Sequence, residues 1–255
     1  MDDLVAAAWH EYQRFANDPC VRPVAASMPI LYFGDSRLYL DSTCRVVTVG
    51  LNPSLAEFPE HAPTSRFASV TALPTTLASG LTTTDYRYAL DAYFRTDPYR
   101  WFNCFRSVLR GLHASYDDTQ PNRALHTDLC SPLATNPTWS GLSWQAQRKL
   151  REGGTDLWHR LVGHFHPHVI IMSVKDEYRE AIRFRPLGEW HELTDVSQKK
   201  DGGSRKKPYR VLVRAVAVTE QNPALLVYAP AAQTPFGSIS LDQQMRIGRM
   251  IEEYL

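Results

Sequence analysis

The feature that most constrains the fold is a set of short, continuously apolar runs separated by helical patterns. RVVTVG (45–50) and HVIIMSV (168–174) are rich in β-branched residues, and they are too short for typical helices. Such runs are typical of strands buried on both faces of a parallel sheet. The sequence therefore predicts an α/β fold with a central, mostly parallel sheet flanked by helices.

The remaining segments predict the order of the elements. Apolar residues at helical spacing predict a helix over 2–16, and two short apolar runs around Gly34 predict a hairpin over 30–40. Further strands are predicted over 124–130, 209–218 and 225–228, and further helices over 85–95, 99–112, 155–165, 174–183 and 241–254. The last two helices follow S-x-x-D and S-x-x-Q capping patterns. We expect one domain over 1–255, with 1–27 as an N-terminal helical extension.

Composition excludes several classes of protein. Lys and Arg number 28 against 27 Asp and Glu, so a strongly basic, histone-like nucleic-acid binder is excluded. The four cysteines are widely spaced and form no zinc-ribbon or redox motif, and the N-terminus lacks a signal-peptide pattern. No apolar run reaches the roughly 18 residues that span a bilayer. We therefore expect a cytoplasmic protein with no membrane association.

Two loops that follow predicted strands carry unusual residues. In GLNPS (50–54), Pro53 restricts Asn52 to extended conformations, so the amide is held rigidly at the end of a strand. A rigid amide there can orient a water molecule, although an Asx-type turn without chemistry also fits the pattern. In YAPAAQTPFG (228–237), small residues between a strand and a helix allow a ligand to approach closely.

Together these motifs resemble the uracil-DNA glycosylase superfamily. Its members have a strand ending in G-[LIM]-N-P, followed late in the chain by a strand ending in x-P-[SA]-x-x-[ST]. GLNPS is closest to the first motif of the mismatch-specific and single-strand-selective branches. The resemblance implies a three-layer α/β sandwich. It also implies a monofunctional DNA glycosylase that flips out a damaged or modified pyrimidine and hydrolyses its N-glycosidic bond, which leaves an abasic site. DNA is the expected partner, and neither a cofactor nor a metal is expected.

The resemblance also implies roles for particular residues. Asn52 would position the attacking water and help to stabilise the sugar cation. The floor of the base pocket would be formed by Gly50, Leu51, Pro53 and Ser54, and either Phe58 or Phe67 would stack on the flipped base. The DNA backbone would contact Pro230, Ala231 and Thr234, and either Gln233 or Phe236 would enter the helix stack.

The second motif departs from the superfamily pattern. Ala229 stands where many members carry a His that assists departure of the base, so either no assistance is needed or another residue provides it. The cysteines also lack the spacing of the iron–sulfur branches, which excludes a cluster.

Three other segments carry candidate residues. His126 and Asp128 alternate on a predicted strand and so share a face, where Asp128 would act as general base or balance the sugar cation. His126 would donate to the departing base, although both side chains could instead cap local backbone. QKKDGGSRKKP (198–208) predicts a flexible basic loop, either solvated or contacting phosphate through Lys206 and Lys207. HFHPH (164–168) predicts a turn, and no metal site is expected there.

Several alternatives stay open at this stage. The base is either uracil or a mismatched base, or an enlarged cytosine such as the hydroxymethylated or glucosylated cytosines of phage DNA, which would imply phage defence. The enlarged base is favoured by the alanines of the second motif and by a stretch over 64–84 in which ten of twenty-one residues are Ser or Thr. A catalytically silent member that binds DNA or a nucleotide is the alternative function. A third is an unrelated α/β protein that handles a free nucleoside.

Overall fold

The structure, a computed structural model of the 255-residue chain, describes residues 1–68, 70, 81–231 and 233–255. Its helices are α1 (Asp2–Phe15), α2 (Ser36–Leu40), α3 (Thr83–Asp91), α4 (Asn103–Gly111), α5 (Trp144–Phe165) and α6 (Leu241–Glu252). Its strands are β1 (Val46–Gly50), β2 (Ala114–Ser115), β3 (Asn122–Asp128), β4 (Val169–Val174), β5 (Arg185–Pro186), β6 (His191–Gln198), β7 (Ser204–Thr219) and β8 (Asn222–Pro230).

The strands form one mixed sheet. Its order is β2-β3-β1-β4-β8-β7-β5, and β6 pairs with β7 off this path. Strands β1, β4 and β8 are paired in parallel, with Val46 opposite Val169 and Val169 opposite Leu225. Strand β7 runs antiparallel to β5, β6 and β8. The predicted class is therefore confirmed: an α/β fold with a central, mostly parallel sheet flanked by helices.

The central strands form where the sequence has its apolar runs. Every residue of β1 and of β4 is buried. Each strand has a neighbour on both sides in the sheet, and both faces of a parallel sheet are normally covered by other elements. The predicted capping pattern at the last helix is also confirmed. The Ser240 hydroxyl accepts from the backbone N–H of Gln243, and the Gln243 side chain accepts from the backbone N–H of Ser240.

By internal packing the chain divides into two compact units. The first comprises 1–37, 50–99 and 125–164, and the second comprises 38–49, 100–124 and 165–255. Helix α1 belongs to the first unit, where the Trp9 ring lies 5.9 Å from that of Tyr86. In the second unit α4 and α6 cross closely, because Gly111 and Gly248 lack side chains at the crossing. That 1–255 behave as one domain stays a prediction.

The hairpin predicted over 30–40 is wrong. Residues 36–40 form helix α2, and Phe33 makes only an isolated bridge with His126. The cause is a distant carboxylate: Asp91 Oδ1 accepts from the backbone N–H of Ser36 at 3.0 Å and from the Tyr32 hydroxyl at 2.9 Å. A carboxylate that accepts from the first N–H groups of a helix stabilises its start.

Two further predictions need correction. Residues 176–181 form a 3-10 helix rather than an α-helix, and the Ser173 hydroxyl accepts from the N–H of Phe236 instead of capping it. The basic segment 198–208 is not a loop throughout, because β6 ends at Gln198 and β7 begins at Ser204. Lysines in this segment extend a strand whose later residues pair with β6 and β8. Most of the Ser/Thr-rich stretch, at 69 and 71–80, lies outside the described residues.

Candidate functional site

The candidate site lies in the first unit, around the carboxyl ends of β1 and β3. These two strands are neighbours in the sheet. Just beyond their ends, the N–H of Leu129 donates to the carbonyl of Gly50 at 3.0 Å, and that of Cys130 donates to the carbonyl of Leu51 at 2.9 Å. The GLNPS loop is therefore fixed against the segment that follows Asp128, as expected for the ligand-binding edge of a parallel sheet.

The Asn52 side chain is held in one orientation. Its Nδ2 donates to the carbonyl of Leu133 at 3.1 Å and to Thr135 Oγ1 at 2.9 Å. A carbonyl can only accept, so the amide nitrogen must face Leu133 and the amide oxygen must point away from it. Among the residues that the structure describes, none donates a hydrogen bond to Asn52 Oδ1. The amide oxygen is therefore available to accept from a water molecule or a ligand.

His126 and Asp128 lie together beside Gly50. His126 Nε2 is 3.8 Å from Asp128 Oδ1, and the two side chains are only 2% and 5% exposed. A Cβ atom on Gly50 would lie 2.5 Å from Asp128 Oδ1 and 2.9 Å from His126 Nε2. Within the described ranges, no N–H or hydroxyl donates a hydrogen bond to the Asp128 carboxylate. Buried carboxylates are normally satisfied by donors, so this one is suited to a bound partner.

The other residues of the GLNPS loop hold its backbone in place. Pro53 is buried, and its carbonyl accepts from the N–H of Thr135 at 3.3 Å. The Ser54 hydroxyl accepts from the N–H of Ala56 at 3.2 Å and so begins a 3-10 turn, Leu55–Glu57. Gly50, Leu51, Pro53 and Ser54 are thus all in or beside the candidate site. Whether they contact a base stays a prediction.

Five aromatic rings pack in sequence beside these groups. The Phe58 and Phe67 rings are stacked, with centroids 5.2 Å apart and an interplanar angle of 26°. Phe67 contacts Tyr93 at 5.6 Å, Tyr93 contacts Phe33 at 4.7 Å, and Phe33 contacts His126 at 5.8 Å. The structure therefore brings together both phenylalanines that were candidates for stacking on a base. Both rings are buried, so neither is distinguished from the other by exposure.

Glu57 is a buried carboxyl group in this cluster that the sequence patterns did not predict. Its residue is 4% exposed, and its Oε2 accepts a hydrogen bond from the Tyr93 hydroxyl. Burial, together with the charge of Asp128, raises the pKa of Glu57 to about 7, although the Tyr93 hydrogen bond and the charge of Arg66 act in the opposite direction. Only its position in the sequence could have indicated a role for Glu57, because it lies between Ala56 and Phe58, close after the GLNPS motif.

Residues of the second motif lie in the second unit. Pro230, Gln233 and Thr234 are exposed, and Ala231 is half-buried, while Ala232 lies outside the described residues. Phe236 lacks the surface position that a residue entering a DNA helix stack requires. It is 0% exposed, and its ring packs 6.0 Å from that of Phe105. Gln233 is therefore the candidate with a side chain at the surface.

The basic segment 198–208 lies in the second unit, as do His166 and His168 of the HFHPH segment, whereas His164 belongs to the first unit. Lys206 and Lys207 are exposed on β7. Nδ1 of His168 accepts from the backbone N–H of Arg45 at 3.1 Å, which occupies one of its ring nitrogens. Across the described part of the chain, no group of three or more His, Cys, Asp or Glu residues could hold a metal ion. Among the helices described, none is long and apolar enough to cross a bilayer.

No protein-family model, curated protein or solved structure matches the chain. The likeness to the uracil-DNA glycosylase superfamily therefore depends on the two motifs and their order. What the structure adds is the geometry around Asn52, His126 and Asp128.

Proposed function

We propose that this protein is a monofunctional DNA glycosylase that excises a damaged or modified pyrimidine. The observation that carries the proposal is the Asn52 amide, which is anchored through Nδ2 to Leu133 and Thr135 with its oxygen left to accept. Hydrolysis of an N-glycosidic bond needs a water molecule held in one place, and an anchored amide oxygen at a strand end provides such an acceptor.

Asp128 supplies the second requirement of this chemistry. Cleavage of the glycosidic bond builds positive charge on the sugar, as in the oxocarbenium-like transition states of glycoside hydrolysis. A buried carboxylate stabilises that charge more strongly than an exposed one, because little water screens it. Asp128 also accepts the proton of the attacking water. No lysine adjoins the GLNPS loop, so no Schiff-base step is proposed.

DNA contacts are proposed from charge and from the resemblance. Lys206 and Lys207 present two exposed ammonium groups for phosphate. Pro230, Ala231, Gln233 and Thr234 are assigned to the DNA backbone and helix stack by the resemblance alone. A flipped base would stack within the aromatic cluster that contains Phe58 and Phe67.

A base-release assay tests the proposal. Labelled oligonucleotides would carry uracil, a mismatched thymine, 5-hydroxymethylcytosine or its glucosylated form, and alkali would convert abasic sites into strand breaks. We expect breaks on at least one substrate with the wild type and none above background with Asn52→Ala. Asn17→Ala, at an exposed asparagine after α1, is the matched control and should cleave like the wild type.

The other outcomes are equally informative. Release from uracil or mismatched DNA would indicate repair, and release from modified cytosine alone would indicate a role against modified foreign DNA. A wild type that binds DNA but releases no base from any substrate overturns the proposal and favours a silent DNA-binding protein. A wild type that also fails to bind DNA favours a protein that handles free nucleosides.

A further inference from the structure

Glu57 has the surroundings of a proton donor rather than those of a structural carboxylate. It follows Asn52 by five residues, at the end of the 3-10 turn that Ser54 caps. It forms no salt bridge within the described residues, although a buried carboxylate is ordinarily paired with a cation. Burial without a salt-bridged cation favours the neutral, protonated form of a carboxyl group.

The hydrogen bonds around Glu57 determine which oxygen carries the proton. The backbone N–H of Tyr99 donates to the Tyr93 hydroxyl at 3.0 Å, so the Tyr93 hydrogen is directed to Glu57 Oε2. Oε2 is therefore an acceptor, and the proton of neutral Glu57 resides on Oε1. Among described residues, no hydrogen-bond partner contacts Oε1. The proton on Oε1 is thus not held by an acceptor among the described residues, which leaves it for donation.

We propose that Glu57 is a further catalytic residue of the Asn52 site, the general acid that protonates the departing pyrimidine. This inference rests on the proposed glycosylase function and deepens it. It also accounts for Ala229, whose methyl group cannot donate a proton at the position where many members of the superfamily carry His. Proton donation by a positioned side chain typically contributes a factor of about 10² to 10⁴ in rate.

The bond between the sugar C1′ and the base N1 breaks, and its electron pair leaves with the base. Glu57 Oε1–H transfers its proton to a ring nitrogen or carbonyl oxygen of that base. Water held by Asn52 adds to C1′ and loses a proton to Asp128, and that proton later restores neutral Glu57. The net reaction adds a hydroxyl group to the sugar and a hydrogen atom to the base.

The ionisation of Glu57 suits this role near neutral pH. Burial is the main cause that raises its pKa to about 7. Tyr93 acts on it through a hydrogen bond, and Arg66 and Asp128 act through their charges, with His126 beside Asp128. A general acid works best when its pKa lies near the operating pH. A cytosine-type base has an N3 lone pair that can take the proton, whereas N3 of uracil already bears hydrogen. The acid should therefore matter more for cytosine derivatives than for uracil.

The test is the pH dependence of single-turnover base release by wild type, Glu57→Gln and Tyr93→Phe. Glu57→Gln keeps the size and polarity of the side chain but has no acidic proton, so we expect release to fall about 100-fold and the loss of rate above pH 7 to disappear. Tyr93→Phe removes the hydrogen bond that favours ionised Glu57, so the alkaline limb should move to higher pH. Tyr88→Phe, at an exposed tyrosine of α3, is the control and should leave the profile unchanged.

Each result decides the inference. Glu57→Gln with the wild-type rate and profile overturns it while leaving the glycosylase proposal intact, provided that Asn52→Ala is inactive. If Glu57→Gln fails to fold by circular dichroism, the Tyr93→Phe profile decides, and an unmoved alkaline limb overturns the role. A wild type that releases no base from any substrate removes the proposed function and this inference together.

Discussion

Asp128 Oδ1 lies 2.5 Å from the position that a Cβ atom of Gly50 would occupy. The last residue of β1 therefore has to be glycine for the carboxylate to lie beside the strand end. His126 Nε2, at 2.9 Å from the same position, makes the same demand. The glycine of the GLNPS motif is thus required by the close approach of two buried polar side chains.

Gly50→Ala should impair base release more than it impairs folding. The added methyl group meets the ends of two side chains rather than backbone, so the chain can fold with a loss of about 1–3 kcal/mol in unfolding free energy. Asp128 and His126 must move, and we expect at least a tenfold lower single-turnover rate. Gly188→Ala is the control, because nothing lies within 4 Å of its Cβ position. Wild-type rates in Gly50→Ala would contradict a catalytic role for this arrangement.

Thr135 should act as a positioning residue for Asn52. Thr135→Val keeps the shape of the side chain but removes the acceptor of the 2.9 Å hydrogen bond from Asn52 Nδ2. The amide then loses one of its two anchors, and we expect about a tenfold fall in kcat with little change in KM. Thr135→Ser retains the hydroxyl and should restore the wild-type kcat. Equal loss in both variants would show that packing, not the hydrogen bond, is responsible.

Glu57 should make the stability of the protein fall as pH rises. Its pKa is about 7 in the folded protein against an ordinary value of 4.5, so between these pH values the folded state holds more protons than the unfolded state. Stability is unaffected below pH 4.5 and is reduced by about 3 kcal/mol above pH 7. The unfolding free energy of Glu57→Gln, measured in urea, should therefore increase relative to wild type from pH 5 to pH 8. Glu220→Gln, at an exposed site, should show no such trend, and neither should Glu57→Gln if the carboxyl is ionised throughout.

Lys206 and Lys207 should contribute salt-dependent affinity for DNA. Each phosphate contact that is lost lowers the slope of log affinity against log salt concentration by about 0.9 for duplex DNA. Lys206→Ala/Lys207→Ala should therefore bind more weakly at low salt, with a slope shallower by about 2. Lys206→Arg/Lys207→Arg keeps both charges and should behave like the wild type. An unchanged slope in the alanine variant, measured by fluorescence anisotropy, would place the DNA contacts elsewhere.

The sheet and the motif loops could be predicted because their determinants are local. The β-branched runs of β1 and β4 favour strands whatever surrounds them, and Pro53 restricts Asn52 through the chain itself. The capping box of α6 is likewise contained in four consecutive residues, from Ser240 to Gln243. Such features do not depend on which distant segment packs against them.

Other predictions failed because distant residues decide the outcome. Asp91 turns the predicted hairpin strand after Gly34 into helix α2 through hydrogen bonds that span more than fifty residues. Phe236 belongs to the buried core because Phe105 packs against it, although its loop suggested a surface position. Neither contact can be predicted from the residue types close to it in the sequence.

By itself the sequence determined the α/β class, the central strands and the rigid Asn52 loop, since these follow from residue types at short spacing. Only the tertiary structure placed Asp128 against Gly50, anchored Asn52 on Leu133 and Thr135, and buried Glu57 with Tyr93, 36 residues away. The physical reason is that the ionisation of a carboxyl group depends on water exclusion and neighbouring charges, which arise only when distant segments pack together.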